Sequence, residues 1–293
     1  MTAGWTPIAE EAERATRVLH PGEPFPPPAR RRVLTVANQK GGVGKTTSAV
    51  NLAAAMALNG LKVLVVDLDP QGNASTALGV DHRSGTPSVY EALIGEVSLA
   101  DAAVVSDQSD NLYCVPATID LAGAEIELVS MTAREGRLKE AISPEALDQI
   151  KPDYVFIDCP PSLGLLTVNA MVAAEEVFIP IQCEYYALEG LSQLLSNIEL
   201  VQGHLNQNLW VSTILLTMYD GRTKLADQVT AEVRRHFGET VLRTVIPRSV
   251  KVSEAPGFGQ TVLAYDPGSR GALSYLDAAR EMAERGAVVE AST

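Results

Sequence analysis

The stretch VLTVANQKGGVGKTTSAVNLAAAMALN, residues 33–59, decides how the rest of the chain is organised. Its apolar, β-branched start at residues 33–37 predicts a buried strand, and the apolar positions after Lys45 predict a helix. Glycines between the two let backbone N–H groups converge on one anion at the positive end of the helix dipole. This order predicts a phosphate site, whose loop residues are Gly41, Gly42, Val43, Gly44, Lys45, Thr46 and Thr47.

Two side chains of this loop suit nucleotide chemistry. Lys45 supplies a cation for the β- and γ-phosphates, and the hydroxyl of Thr46 can ligate Mg²⁺. The alternative is a glycine-rich connection that happens to contain a lysine, which the strand before it and the helix after it argue against. We therefore expect a nucleotide site that uses Mg²⁺.

The loop departs from the usual G-x-x-x-x-G-K-[ST] pattern. Gln39 stands at the first glycine position, and a second lysine, Lys40, lies just inside the loop. K-G-G-x-G-K-T-T resembles the deviant Walker A loop of the partition and septum-placement ATPases, a family that also includes the nitrogenase iron protein. By that resemblance Lys40 reaches the nucleotide of the other subunit, which implies an ATP-dependent homodimer. A solvated loop lysine is the alternative interpretation.

Two later strands deliver carboxylates to the sheet edge at which open α/β sheets bind ligands. The run KVLVVD leads into DLDPQGNAS, so we expect Asp67 and Asp69 beside the phosphates. The run DYVFID ends in Asp158, a Walker B pattern suited to the Mg²⁺ shell. Carboxylates that merely cap a turn are the alternative. Asp69 resembles the family's aspartate that orients the attacking water.

A four-residue segment, Thr217-Met218-Tyr219-Asp220, is a near miss to the [NT]-K-x-D loop with which GTPases read guanine. Met218 replaces the lysine that would pack along the base, which favours adenine and hence ATP. Pro247, at the end of the last predicted strand, is the second candidate contact with the base.

Further apolar runs predict strands at residues 62–67, 111–116, 153–158, 176–182, 210–216 and 241–247. Helical patterns cover residues 87–95, 122–142 (as one helix or two), 187–205 and 269–285. Buried-type strands that alternate with helices predict an α/β fold, a doubly wound and mostly parallel sheet with helices on both faces. We expect one P-loop ATPase domain over residues 32–286, a flexible proline-rich tail before it at 1–31, and a short tail at 287–293.

Composition and charge narrow the class. The hydrophobic content of 46% suffices for a large core, no apolar run approaches the ~18 residues of a membrane span, and no signal-peptide pattern begins the chain. Three cysteines without CxxC spacing predict a reducing cytoplasm and no thiolate metal site. The net charge of −13 opposes binding to DNA or anionic lipid.

The charge is unevenly distributed. Between residues 211 and 260, seven basic residues outnumber five acidic ones. From spacing alone, a solvated face is the more common explanation of such a stretch. Its basic residues are Arg222, Lys224, Arg234, Arg235, Arg243, Arg248 and Lys251.

The segments quoted above, together with LYCVPATIDLAGAEIEL, IDCPPSLGLLTVNA, IPIQCEYYALEGLSQLL, IPRSVKVSEAP and YDPGSRGA, resemble the ParA/Soj-type chromosome-partitioning ATPases. The resemblance covers nearly all of the chain beyond the tail. It implies an ATP-driven dimer that binds double-stranded DNA non-specifically on the nucleoid, and weak hydrolysis that a ParB-type centromere-binding partner stimulates. Arg222 and Lys251 match family residues that touch DNA, and the weaker candidates are Arg234, Arg235, Arg243 and Arg248. A polar anchor protein is a further partner that this family leaves open.

Other classes fit the sequence less well. A septum-placement (MinD-like) membrane-cycling ATPase needs a basic, bulky amphipathic C-terminal helix, whereas EMAERGAVVEAST is acidic and small, so we expect no direct membrane binding. A metabolic ligase or kinase needs a second substrate pocket, for which the sequence offers no separate set of residues. A non-hydrolysing scaffold is disfavoured because Lys45, Thr46, Asp69 and Asp158 are all present.

Overall fold

The computed structural model of the chain describes residues 6–20, 22–185 and 187–287. Its eight strands are β1 Arg32–Val36, β2 Val63–Asp67, β3 Val104–Val105, β4 Leu112–Val115, β5 Tyr154–Asp158, β6 Glu176–Gln182, β7 Trp210–Tyr219 and β8 Val241–Pro247. They form one sheet in the order β3-β4-β2-β5-β1-β6-β7-β8. All neighbours run parallel except β3 and β4, which are antiparallel.

The α-helices of the described ranges flank this sheet. They are α1 Pro7–Leu19, α2 Lys45–Leu58, α3 Asn73–Ala77, α4 Val89–Ile94, α5 Leu99–Ala102, α6 Leu121–Val129, α7 Arg137–Ala141, α8 Leu165–Ala173, α9 Ala187–His204, α10 Lys224–Phe237, α11 Val250–Glu254, α12 Val262–Tyr265 and α13 Arg270–Gly286. None of the helices in the described part of the chain is long and apolar enough to span a membrane.

Alternate residues of each central strand enter different cores, as the period of two requires. In β1, Leu34 and Val36 pack with α2 and α13, whereas Val33 packs on the opposite face with α4 to α8. A third cluster forms between β6, β7 and the helices α8, α9 and α10. The prediction of a doubly wound parallel sheet with helices on both faces is therefore confirmed.

The strand order reverses at β1, which has β5 on one side and β6 on the other. Crevices at such reversal points, beyond the carboxyl ends of the strands, are where doubly wound sheets bind ligands. The glycine loop follows β1 directly, so the sheet places it at the centre of that edge.

Within the predicted N-terminal tail, the described residues 6–20 and 22–31 make contacts with the rest of the fold. Thr6 caps α1, whose Pro7 stands in the first turn, where proline removes no helical hydrogen bond. Val18 is 1% exposed and joins the hydrophobic cluster of α2 and α13. The Nε atom of Arg14 donates to the carbonyl of Gly268 at 2.7 Å.

A few residues further on, the proline-dense segment also lies against the core. Phe25 is 3% exposed, and the guanidinium of Arg280 lies 5.1 Å from the centre of its ring. Pro28 forms an antiparallel bridge with Ala287. Prolines exclude this segment from a helix interior or a central strand, but they do not exclude it from packing on the surface of α13.

Three further points concern the middle and the end of the chain. The pattern at residues 122–142, predicted as one helix or two, forms the two helices α6 and α7 with a 3₁₀ turn at Arg134–Gly136 between them. The two-residue edge strand β3 carried too short a signal to be predicted, and both its valines are exposed. The predicted tail at 287–293 lies outside the described residues except for Ala287.

Candidate functional site

The glycine loop between β1 and α2 has the backbone form of an anion cradle. Gly42 and Gly44 have φ values of 72° and 88°, in the left-handed region that side chains with a Cβ disfavour. Gly44 is the N-cap of α2 and has no side chain. The first N–H groups of the helix therefore remain available to a ligand, with the positive end of the helix dipole behind them.

Neighbouring strands hold this loop in place. Thr217, near the end of β7, donates from its hydroxyl to the carbonyl of Val43 at 2.8 Å. Asn38 donates to the carbonyl of Pro180 at 2.8 Å and accepts from the backbone N–H of Lys40 at 3.0 Å. Sequence reasoning named Thr217 only as part of the segment beside the base and missed its contact with Val43. It missed Asn38 altogether, although a polar asparagine directly after an apolar strand is a signal that could have identified it.

Lys45 is 7% exposed at the start of α2. Its ammonium donates to the carbonyl of Lys40 at 3.4 Å. Burial lowers the pKa of Lys45, and the nearby carboxylates of Asp158 and Asp69 act in the opposite direction. An ammonium has three donors, so Lys45 can bind phosphate oxygens while it retains this carbonyl.

Asp158 is fully buried at the end of β5. Neither of its carboxylate oxygens has a hydrogen-bond partner among the residues that the structure describes. Burial, and then the charge of Asp67, raises the pKa of Asp158 well above its ordinary value, while Thr46 and Lys45 lower it in part. A buried carboxylate without donors is stabilised by a cation, and Mg²⁺ prefers hard oxygen ligands.

The donor set at this position fits Mg²⁺. The described residues contain no group of three or more His, Cys, Asp or Glu side chains that could hold a metal ion. Mg²⁺ at phosphate sites is usually held by one or two protein oxygens, substrate phosphates and water. Thr46 and Asp158 supply such oxygens.

Asp67 and Asp69, which we expected together beside the phosphates, have different positions. Asp67 is fully buried, and its carboxylate accepts from the N–H of Ser75 at 2.8 Å and from its hydroxyl at 2.7 Å. Burial raises the pKa of Asp67 to about 6. Only Asp69 lines the cavity above the glycine loop, because two residues of backbone carry it beyond the end of β2.

That cavity has a volume of about 660 Å³. Its walls are the glycine loop, Asp69, both ends of α3, and Pro161, Met218 and Pro256. A second cavity of about 160 Å³ shares Gly44, Thr47 and Met218 with the first and includes Pro247. The structure therefore brings Met218 and Pro247, the two candidate contacts with the base, to one pocket beside the phosphate loop.

Lys40 forms an ion pair with Glu184 at 2.8 Å, and its side chain is 41% exposed. Such a half-exposed ion pair contributes little to stability, typically ~0–1 kcal/mol. Lys40 can therefore exchange Glu184 for another anion at little energetic cost.

The basic residues that are candidates for DNA contact fall into two groups by position in the fold. Arg222 and Arg248 line a groove of about 610 Å³ next to the base pocket, and Arg270, which sequence reasoning missed, lines it too. Lys251 lies on α11, where it pairs with Glu254 at 3.3 Å. Arg222 is 87% exposed but holds both carboxylate oxygens of Asp220 at 2.8 Å.

The second group consists of Arg234 and Arg235 on α10, together with Arg243 on β8. Arg234 donates to the backbone carbonyl of Arg243 at 2.8 Å, so it holds β8 against α10. Arg235 is paired with Glu232 on its own helix. The first contact gives Arg234 a structural role, whereas the side chain of Arg235 stays 69% exposed; the groove of Arg222 and Arg248 includes neither.

Comparison with known proteins agrees with this geometry. A family model described as an AAA domain matches residues 31–211. The sporulation initiation inhibitor protein Soj of Bacillus subtilis (strain 168) is 53% identical over 87% of this chain and 99% of that protein. The chromosome partitioning protein ParA of Caulobacter vibrioides (strain NA1000 / CB15N) is 52% identical over 87% of this chain and 94% of its own.

The chain belongs to the Soj/ParA family of chromosome-partitioning ATPases. The prediction of that family is confirmed, and so is the prediction of a P-loop ATPase. Among solved structures, a protein titled cobyrinic acid a,c-diamide synthase from Mycobacterium smegmatis, with bound ATP analog and magnesium, is 41% identical. Its TM-score is 0.72, over 85% of this chain and 93% of that one. The family match begins after α1, so the N-terminal helix lies outside the matched segment.

Proposed function

We propose that this protein is the ATP-driven switch of a chromosome- or plasmid-partitioning system. One observation carries the proposal: the phosphate loop and Lys45 form one cavity wall with Asp69, and the unpartnered carboxylate of Asp158 lies buried beside Lys45. This arrangement provides positive backbone dipoles, a cation for phosphate and a carboxylate for a metal ion at one place.

Each part of the cavity has a role in nucleotide binding. Backbone N–H groups of the loop hold the phosphates of ATP, and Lys45 contacts the β- and γ-phosphates. Met218 and Pro247 contact adenine. Thr46 and Asp158 hold Mg²⁺, which neutralises phosphate charge when it is bound.

Asp69 orients the water that attacks the γ-phosphate. Its carboxylate lines the cavity and accepts from the N–H of Gln71 at 3.1 Å, which fixes the turn that carries it. Phosphoryl transfer depends mainly on positioning and charge stabilisation, so a fixed carboxylate near the phosphates is the contribution expected of this residue.

Lys40 stabilises the homodimer of the ATP-bound form. In one chain it pairs with Glu184, and in the homodimer it exchanges that weak pair for the nucleotide phosphates of the other subunit. Exchange of an exposed carboxylate for a phosphate in a drier site favours the dimer because charge pairs strengthen as water is excluded.

The dimer binds double-stranded DNA without sequence preference through Arg222 and Lys251, and Arg248, which lies beside Arg222 in the groove, is a weaker candidate. A ParB-type centromere-binding protein stimulates hydrolysis and thereby releases the DNA, which makes the protein cytoplasmic and nucleoid-associated. The acidic chain suits a basic partner segment. We infer that the protein does not bind membranes directly and that a polar anchor protein is a further candidate partner.

The deciding experiment measures the size of the protein with ATP, ADP or no nucleotide, with and without duplex DNA. We expect a dimer only with ATP, and DNA binding only by that dimer. An amide-forming ligase of the kind named for the Mycobacterium smegmatis structure would instead turn over ATP only when its carboxylic acid substrate is supplied. ATP turnover that needs such a substrate and ignores both DNA and a ParB-type protein would overturn the proposal.

A further inference from the structure

The turn between β3 and β4 places Gln108 between two segments that are distant in sequence. Its side-chain amide donates to the carbonyl of Ala77 at 3.0 Å and to that of Gly259 at 3.3 Å. Its carbonyl oxygen accepts from the N–H of Thr261 at 3.0 Å and from the hydroxyl of Thr261 at 2.7 Å. One side chain therefore joins the end of α3 to the segment between α11 and α12.

The α3 side of this bridge belongs to the nucleotide cavity. Asn73, Thr76 and Ala77 line that cavity, and the loop before α3 carries Asp69. Asp67 fixes the middle of the helix through Ser75. A shift of Asp69 or of the cavity wall would consequently move the carbonyl of Ala77 that Gln108 holds.

The other side of the bridge belongs to the helix that carries Lys251. The helix α11 continues directly into a 3₁₀ turn at Ala255–Phe258. Val252 and Ala255 anchor this run in the core, and Pro256 lines the nucleotide cavity. Lys251 and a residue of the cavity wall are thus five positions apart in one short helical run.

The two segments also approach each other closely through their backbones. A Cβ on Gly79 would lie 3.3 Å from the carbonyl oxygen of Gly259, and a Cβ on Gly259 would lie 3.6 Å from the carbonyl oxygen of Thr76. Both glycines have positive φ values, 69° and 67°. Side chains do not separate the segments here, so displacement of one is transmitted to the other without a soft layer between them.

We propose that Gln108 couples the nucleotide cavity to the DNA-contact helix α11. In this role Gln108 is a positioning residue: it transmits the arrangement that α3 adopts with ATP to the segment 255–261, and so to Lys251. The inference rests on the proposed function, because it assumes that the ATP form binds DNA through α11. It adds a residue that touches neither ligand.

The test uses Gln108→Ala in the full chain, with Asp110→Ala as the control because Asp110 is exposed in the same turn. ATP-dependent dimerisation is measured by light scattering, and DNA affinity by fluorescence anisotropy on two unrelated duplexes. We expect Gln108→Ala to dimerise at the wild-type ATP concentration but to bind DNA about 10-fold more weakly. Coupling is reciprocal, so the factor by which DNA lowers the ATP concentration needed for dimerisation should fall equally.

Three results would overturn the inference. The first is wild-type DNA affinity and wild-type coupling in Gln108→Ala. The second is a folded variant that loses ATP-dependent dimerisation as well, which would make Gln108 a support of the cavity. The third is wild-type protein that dimerises with ATP but does not bind DNA, which overturns the proposed function first. If Gln108→Ala does not fold, Gln108→Glu keeps both contacts with Thr261 but sets a carboxylate against the carbonyls of Ala77 and Gly259, and the same expectations apply to it.

Discussion

Asp67 and Asp158 are register partners at the carboxyl ends of the adjacent parallel strands β2 and β5, and both side chains are fully buried. Their surroundings differ in one respect. Ser75 donates two hydrogen bonds to Asp67, whereas the described residues supply none to Asp158. Asp67 therefore has its hydrogen-bond donors within the fold, and we propose that Mg²⁺ supplies the missing partner of Asp158.

The first prediction concerns that cation. Asp158→Asn removes the charge that holds Mg²⁺, so the extra thermal stabilisation that Mg²⁺ gives to the ATP-bound protein should be lost. A ligand at 100 times its dissociation constant stabilises the fold by about 2.7 kcal/mol. The measurement is the melting temperature with ATP, with and without Mg²⁺. Asp69→Asn, in the cavity above the glycine loop, should keep the Mg²⁺ increment. If Asp158→Asn also keeps it, Asp158 does not belong to the metal site.

The second prediction concerns pH and the ligand-free protein. Burial raises the pKa of Asp67 from 3.8 to about 6, so the folded chain binds this proton more tightly than the unfolded chain does. The resulting stability is present in full below about pH 4 and is lost as the pH rises through about 6, a change of roughly 3 kcal/mol. Asp67→Asn cannot titrate. The difference in unfolding free energy between wild type and Asp67→Asn, measured in urea, should therefore shift in favour of wild type between pH 7 and pH 4. A constant difference would contradict the raised pKa.

How much of the site can be predicted from the sequence depends on how far apart along the chain the contacting residues lie. Strand ends were predictable because an apolar run closed by an aspartate is a local pattern, which located Asp67 and Asp158 at the carboxyl ends of β2 and β5. The contacts of α1 were not predictable from the sequence. Its one buried residue, Val18, lies in an otherwise polar helix, and the partner of Arg14 is Gly268, which is 254 positions away. The role of Gln108 was equally unpredictable. No sequence pattern marks a glutamine in a turn whose hydrogen-bond partners lie at the end of α3 and between α11 and α12.

Charge was the second limit of sequence reasoning. The count of charges over residues 211–260 included both Arg222 and Asp220, but it did not show that the two side chains pair within one short loop. Lys40 likewise has Glu184 as its partner, which lies 144 positions away. Net charge over a segment does not reveal such pairs, because pairing depends on which side chains the fold brings within hydrogen-bond distance.

The third prediction separates dimerisation from hydrolysis. Lys40→Ala should bind ATP normally but fail to dimerise, since loss of one member of a buried interfacial charge pair costs about 2 kcal/mol or more, roughly 30-fold in the dimer dissociation constant. Asp69→Ala should dimerise with ATP and accumulate as the dimer because its hydrolysis is slow. Size-exclusion chromatography and phosphate release measure the two effects. A Lys40→Ala variant that dimerises like wild type would disprove the proposed contact across the interface.

The fourth prediction concerns α1. Val18→Ala removes two methyl groups from a position that is 1% exposed, so it should lower the unfolding free energy by about 1–2 kcal/mol. Ile8→Ala on the same helix is the matched control, because Ile8 is 79% exposed and its loss should change stability by less than about 0.5 kcal/mol. Chemical denaturation of both variants is the measurement. Equal effects would mean that α1 does not pack on the core in solution.

The last prediction concerns DNA, because the chain as a whole carries a charge of −13 and should be repelled by it. Affinity must come from a local patch that dimerisation doubles. About 4 phosphates neutralised over both subunits give a slope of about −3 to −4 in log K against log salt. Arg222→Ala and Lys251→Ala each remove two contacts per dimer and should flatten that slope by about 2, by the same factor on unrelated sequences.

The ion pair of Arg222 with Asp220 sharpens this test. Arg222 lowers the pKa of Asp220 to about 2, so Asp220 stays ionised. Its carboxylate therefore competes with DNA phosphates for the guanidinium of Arg222. Asp220→Asn should therefore strengthen DNA binding by the ATP dimer, whereas Arg222→Ala weakens it. Arg83 is the control, since it is 88% exposed and pairs with Asp81 at the same sequence spacing but lies outside the groove. Arg83→Ala should leave the salt dependence unchanged. If Arg222→Ala and Arg83→Ala have the same salt slope, or if Asp220→Asn weakens binding, the DNA surface lies elsewhere on the protein.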